Sequence, residues 1–216
     1  MKRTIGMAAW LAFGTATVVS AQTVSIGLQG ALGDYREVSS SLKYRGAGGG
    51  LTLWLRLHRL SAEGSVSRVS YDPRNEGLAS FKATQLDARV GIDIAAGFAF
   101  EAGVMKRTVD PELSAQEMGA GRVGVRYSKP IGPGATVALR GNYLVAAKFT
   151  GAGSAGLAFE LGLLVSVGPQ NGRYRFTMDY GFQRVDRKVS TVTVPIETVT
   201  VPIEQSLVKL GVAVGF

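Results

Sequence analysis

The chain has 216 residues, with 24 Lys and Arg against 16 Asp and Glu and a formal net charge of +8 at pH 7. It has no cysteine, which excludes disulfides and thiolate chemistry. Its bases are spread along the chain without a nucleic-acid motif, so nucleic acid is not the expected partner.

The first segment reads as a secretory signal peptide. Met1-Lys2-Arg3 is a charged start, Ile5 to Val19 is an almost uncharged run of small and apolar residues, and Val19-Ser20-Ala21 offers small residues before a cut. Cleavage after Ala21 is expected, leaving one domain over 22–216. No later segment holds the ~18 uncharged apolar residues of a membrane helix.

From residue 22 onward a period of two takes over, as in strands with one apolar face. Ten strands are expected. Val24, Ile26 and Leu28 mark the first apolar face, and Leu51, Leu53, Leu55 and Leu57 the second. The third, about Ala62–Tyr71, is weakest, since Val66 alone is strongly apolar on its outer parity. Leu86, Ala88, Val90, Ile92 and Ile94 mark the fourth; Phe98, Phe100, Ala102 and Val104 the fifth; Val123, Val125 and Tyr127 the sixth. The seventh carries Val137, Leu139, Tyr143 and Val145, and the eighth Leu157, Phe159, Leu161, Leu163 and Val165. Tyr174, Phe176, Met178, Tyr180 and Phe182 mark the ninth. Short connections near 59–61, 95–96, 129–134 and 168–172 alternate with longer ones near 33–45, 72–81, 106–118, 147–153 and 186–204. That alternation suits an all-β, antiparallel, up-and-down transmembrane barrel with periplasmic turns and outer loops. Eight strands is the alternative, reached if the third and one neighbour are not separate strands.

The tenth strand closes the chain. Val208, Leu210, Val212, Val214 and Phe216 share one parity, while Lys209, Gly211, Ala213 and Gly215 take the other. This ending resembles the C-terminal assembly signal of bacterial outer-membrane proteins, which usually finishes on Phe. With the leader and the alternation, the chain broadly resembles the small OmpA/OmpX-type barrels. That resemblance implies a multi-pass outer-membrane location, insertion by the outer-membrane barrel assembly machinery, and contact with lipid and lipopolysaccharide.

The opposite parity collects charge. Arg56, Arg89, Arg107, Arg122, Arg126, Arg140, Arg173, Arg175 and Lys209 are assigned to the lumen with Glu63, Asp87, Asp93, Glu101, Glu160 and Asp179. Buried charges are costly unless paired, so Arg–carboxylate networks are expected. The basic surplus suits an anion-preferring pore as a second reading.

Catalytic patterns are wanting. Gly119–Gly124 and Gly151–Gly156 match G-x-G-x-x-G but run into strands rather than helices, so no dinucleotide or other cofactor is expected. Outer-membrane lipid A deacylases and phospholipases share a His-x-Ser pair, whereas the single histidine here reads His58-Arg59-Leu60. A lipid-modifying enzyme therefore ranks third, behind a non-enzymatic structural or surface-interaction barrel and a channel. The most unusual segment is a perfect tandem, Thr191-Val192-Thr193-Val194-Pro195-Ile196-Glu197 repeated as Thr198–Glu204. It is expected to lengthen the last hairpin and to offer a contact region, 186–204, to an extracellular partner.

Overall fold

A computed structural model describes residues 22–40, 42–151, 153–169, 173–190 and 197–216. The signal-peptide reading of 1–21 and the first tandem copy through Ile196 lie outside them. Ten strands are present: β1 Gln22–Glu37, β2 Leu42–Leu57, β3 Leu60–Pro73, β4 Phe81–Ala95, β5 Phe98–Pro111, β6 Met118–Gly132, β7 Ala135–Phe149, β8 Ser154–Val167, β9 Tyr174–Ser190 and β10 Thr198–Gly215. Each pairs antiparallel with its sequence neighbour, and β1 pairs β10 to close the barrel. The eight-stranded alternative is thereby set aside. Closure satisfies every backbone edge, which hydrocarbon demands because an unpaired amide there costs several kcal/mol.

One register line shows how the barrel sits in a membrane. From Leu28 it passes through Leu51, Val66, Leu86, Lys106, Gly119, Lys148, Ser154, Lys188 and Thr200. It then meets β1 three residues beyond the Glu37–Ile203 pair, a stagger of about twelve residues, which tilts the strands by roughly 35–45°. The line therefore climbs along the barrel axis as it circles. Its outward residues change on the way from Leu and Val to Lys and Ser, so the apolar band ends at one level all round.

Below that level the outside is oily. Leu28, Leu53, Val90, Phe100, Leu139, Leu161, Phe176 and Leu210 are all exposed. Phe98 and Tyr127 pack at the turn end, tilted at 43° with ring centroids 4.7 Å apart, and Tyr174 and Phe216 stand exposed at the same end. Such an apolar band with aromatic edges, typically about 25 Å tall, marks a membrane-spanning barrel. Val90→Arg, near mid-band, is expected to destabilise the folded barrel by about 2–4 kcal/mol in lipid-vesicle urea titrations, and Ser70→Arg, above it, by about 0–1. Equal costs at both positions would refute this placement of the band.

The expected outer loops are shorter than the sequence suggests, because the strands continue past the band. The connection expected at 72–81 shrinks to 74–80 and that at 106–118 to 112–117, while β1 runs on to Glu37, β7 to Phe149 and β9 to Ser190, and β2, β8 and β10 begin at Leu42, Ser154 and Thr198. The second tandem copy, Thr198–Glu204, belongs to β10 and pairs with Arg184–Ser190, so the last hairpin is indeed lengthened. At the other end the turns are tight. His58 (φ 53°) and Ala96 (φ 51°) take left-handed conformations there.

Candidate functional site

Side chains on the inner parity fill the barrel in tiers. The tier nearest the turns is a chain of alternating charge. Arg56 meets Asp93 at 2.6 Å, Asp93 meets Arg126 at 3.2 Å, and Arg126 meets Glu101 at 3.1 Å. Glu101 then meets Arg140 at 2.9 Å, and Arg140 meets Glu63 at 2.8 Å. These six residues come from six strands, β2 to β7, so the chain spans the lumen from β7 to β3.

The middle tier centres on Glu160 of β8. One of its oxygens accepts from Arg89 of β4 at 2.9 Å and from the Asn142 amide at 3.3 Å. The other meets Arg122 of β6 at 2.7 Å, and Arg122 also pairs with Asp87. Gln85 donates to Asp87 at 3.0 Å. Lys209 and Asp179 face each other at 4.0 Å beside a small cavity of about 50 Å³, room enough for ordered water. Arg122 and Asp87 are buried, so their charges depend on one another rather than on solvent.

Above this the interior turns apolar. Tyr35, Tyr44, Tyr71 and Phe81 pack with Ala31, Val69, Ala83, Val109, Ile203 and Leu207. Phe81 stacks on Tyr71 with centroids 4.8 Å apart and meets Tyr44 edge-on at 4.8 Å. A second cluster, Met105, Met118, Ala120, Leu144, Ala158 and Val185, fills the β5–β9 side. Between these clusters and the ionic tiers, buried Arg107 donates to Gln183 at 3.0 Å and to Gln205, and lies 6.0 Å from the Tyr35 ring centroid. Gln205 donates in turn to the Tyr71 hydroxyl at 3.0 Å.

Glycine makes room for the aromatic layer. A Cβ on Gly33 would fall 2.6 Å from the Tyr71 hydroxyl, and one on Gly46 would fall 2.6 Å from the Ser70 carbonyl oxygen and 2.8 Å from the Tyr71 ring. The 112–117 connection closes the mouth. Leu113 packs on the aromatic cluster, the buried Gln116 accepts from the Tyr35 hydroxyl, and its amide donates to Glu37 at 3.1 Å.

Several assigned residues stand apart from these tiers. Arg173 lies exposed in the connection before β9 rather than in the lumen, because its parity is inward but the strand begins one residue later. Arg175 faces inward, donating to the Ser166 hydroxyl at 3.4 Å, without a carboxylate partner among the described residues. Val208, Leu210, Val212 and Val214 share the outer parity of β10, and Phe216, one residue past its end, is exposed like Leu210. His58 is exposed in the β2–β3 turn. The tripeptide Gly-Ala-Gly, found at 46–48 and again at 119–121, is not one structural unit. Gly46 and Gly48 point inward in β2, whereas in β6 Ala120 is buried inside and its flanking glycines take the outer parity.

The lipid-facing alternation does not reveal the aromatic layer, because it leaves Tyr35, Tyr44 and Phe81 within or at the edge of the expected outer loops. The signal that finds it is an alternation with its signs exchanged. Asp34 and Arg36 point out while Tyr35 points in, the pattern of a soluble barrel rather than a lipid-facing one. Outward charges above the band pair with one another: Glu204 meets both Arg36 and Arg184, the latter at 3.3 Å, and Asp34 meets Arg45 at 3.4 Å.

No protein-family model matches the chain, and no curated protein matches it. Among solved structures it is similar to Neisserial surface protein A, at 14% identity over 89% of this chain and 97% of that one, with a TM-score of 0.41. An outer membrane channel from Pseudomonas putida F1 matches at 15% identity over 93% and 97%, with a TM-score of 0.45. Outer membrane protein AlkL matches at 12% identity over 97% of each chain, with a TM-score of 0.40.

Proposed function

We propose that the chain is an integral, non-enzymatic protein of the bacterial outer membrane, a closed barrel with a structural or surface-interaction role carried by its outer strand ends and connections. The observation that carries this reading is the filled interior. From the outer mouth downward, an aromatic layer, the Arg107 amide network and the Glu160 tier succeed one another, and Tyr71, Phe81, Arg107 and Arg122 are all nearly inaccessible to solvent. Dense, interlocking polar tiers of this kind hold a barrel shut and rigid.

Several features support the location. The band of exposed apolar residues suits a bilayer, and the bases that point outward above it, among them Arg68, Lys82 and Lys106, suit the phosphates of lipopolysaccharide. Assembly through the β10 face ending in Phe216, after removal of residues 1–21, belongs to the same reading. A partner at the cell surface would meet the 186–204 region, whose described part is the charged end of the β9–β10 ladder.

An anion-preferring channel is the second reading, favoured by the excess of inward arginines over carboxylates. Purified barrel in a planar bilayer separates the two. Silence across ±100 mV is the expected result on the order of the potentials that drive such pores. Steady conductance favouring chloride over potassium would overturn the closed-barrel reading and establish the second.

A further inference from the structure

At the turn end, below the first ionic tier, the lumen widens into a vestibule of about 370 Å³. The two carboxylates that line it, Glu63 and Glu101, are already committed. Glu101 lies between Arg126 and Arg140, and Glu63 holds Arg140. The opposite wall carries a cation and hydroxyls instead.

Thr136, Ser166 and Thr177 are direct register partners on β7, β8 and β9, so their side chains form one row across three strands, all lining the vestibule. Arg175, two residues from Thr177 on the same inward parity, lines it too, and the Ser166 hydroxyl is the partner it holds. Thr177 is 8% exposed, and its Oγ1 has no hydrogen-bond partner among the described residues. A buried hydroxyl left unmatched is uncommon, because each costs free energy until something bonds it. A guanidinium beside a row of hydroxyl donors is the equipment for an oxyanion: charge-assisted bonds from the cation and neutral bonds from the hydroxyls.

We propose that this vestibule binds a small oxyanion of the phosphate or carboxylate type, with Arg175 as counter-ion and Thr136, Ser166 and Thr177 as donors. The tiers above make it a blind pocket, entered and left by the same mouth. The function proposed above enters only in naming that mouth as periplasmic.

Trp54 lines the same vestibule and is the single tryptophan of residues 22–216, since the other, Trp10, lies in the leader. The refolded 22–216 barrel in detergent is titrated with inorganic phosphate and, separately, with acetate, against chloride at constant ionic strength. Trp54 emission and the phosphorus-31 or methyl-proton line width of the anion are read together. A saturable change with either anion is expected, and which one gives it identifies the type. Arg175→Gln should weaken it at least tenfold and Thr177→Val about three- to tenfold, while Arg45→Gln at the outer end leaves it unchanged. Heat-modifiable gel mobility checks that each variant folds, and Thr177→Val keeps the test open should Arg175→Gln fold poorly. No saturable response by either readout, or an undiminished response in both vestibule variants, overturns the site. A conducting bilayer would overturn the closed-barrel reading and leave this binding result standing, so the two fail separately.

Discussion

Glu160→Ala is expected to cost the folded barrel about 3–5 kcal/mol. Glu160 receives Arg89 at 2.9 Å and Arg122 at 2.7 Å, and the side chains of those two bases are 12% and 1% exposed. Removing the carboxylate leaves the nearly inaccessible Arg122 with Asp87 as its one carboxylate partner, and leaves Arg89 with no carboxylate among its contacts. The cost is that of stranding charge, not the net worth of the pair. Asp34→Ala is the fitting comparison, because Asp34 and Arg45 form their 3.4 Å pair in the open, where such contacts contribute about 0–1 kcal/mol. Reversible urea titration in lipid vesicles measures both variants. If Glu160→Ala shifts stability no more than Asp34→Ala does, the middle tier is solvated and the interior is not closed.

The lipid-facing half of this fold was legible because the bilayer enforces a single rule. Leu51, Leu53, Leu55 and Leu57 are apolar because they face acyl chains, and Thr52, Trp54 and Arg56 differ because they do not. Strand count and order follow from that alternation, even for β3, where Val66 alone signals the face. Legibility fails where the solvent outside changes. Above the band, water meets Asp34, Arg36, Lys43 and Arg45, so the same period of two continues with polarity inverted. Read by the lipid rule, those stretches pass for loops, and the tyrosines between the charges go unnoticed.

The interior shows a second limit. Parity alone put Arg89 and Glu160 in the lumen, but not against each other. They are 71 residues apart, on β4 and β8, and the stagger of the closed sheet brings them level. Arg173 shows the converse, with the right parity at a position where the strand has not begun. Alternation assigns a residue to a face, and only closure assigns it a partner.

The inverted layer supplies the other large effect. Phe81→Ala is expected to destabilise the barrel by about 3–5 kcal/mol, as for other buried Phe truncations. The ring is 2% exposed, lies against Tyr71 and Tyr44 at 4.8 Å each and Tyr35 at 5.4 Å, and its loss leaves a void among tyrosines that cannot all move into it. Tyr71 is held over Gly33 and Gly46 and hydrogen-bonded to Gln205, and Tyr35 is tied to Gln116 of the 112–117 connection. The urea midpoint should fall, and the near-ultraviolet dichroism from the clustered tyrosines should collapse with it. Phe81→Leu, keeping most of the volume, should recover more than half of the loss. Bilayer conductance should stay silent in both variants, because the Arg107 and Glu160 tiers lie beneath the layer. An open pore in Phe81→Ala would place the seal in the aromatic residues alone, and an unchanged urea midpoint would mean that the layer contributes nothing to holding the strands together above the membrane.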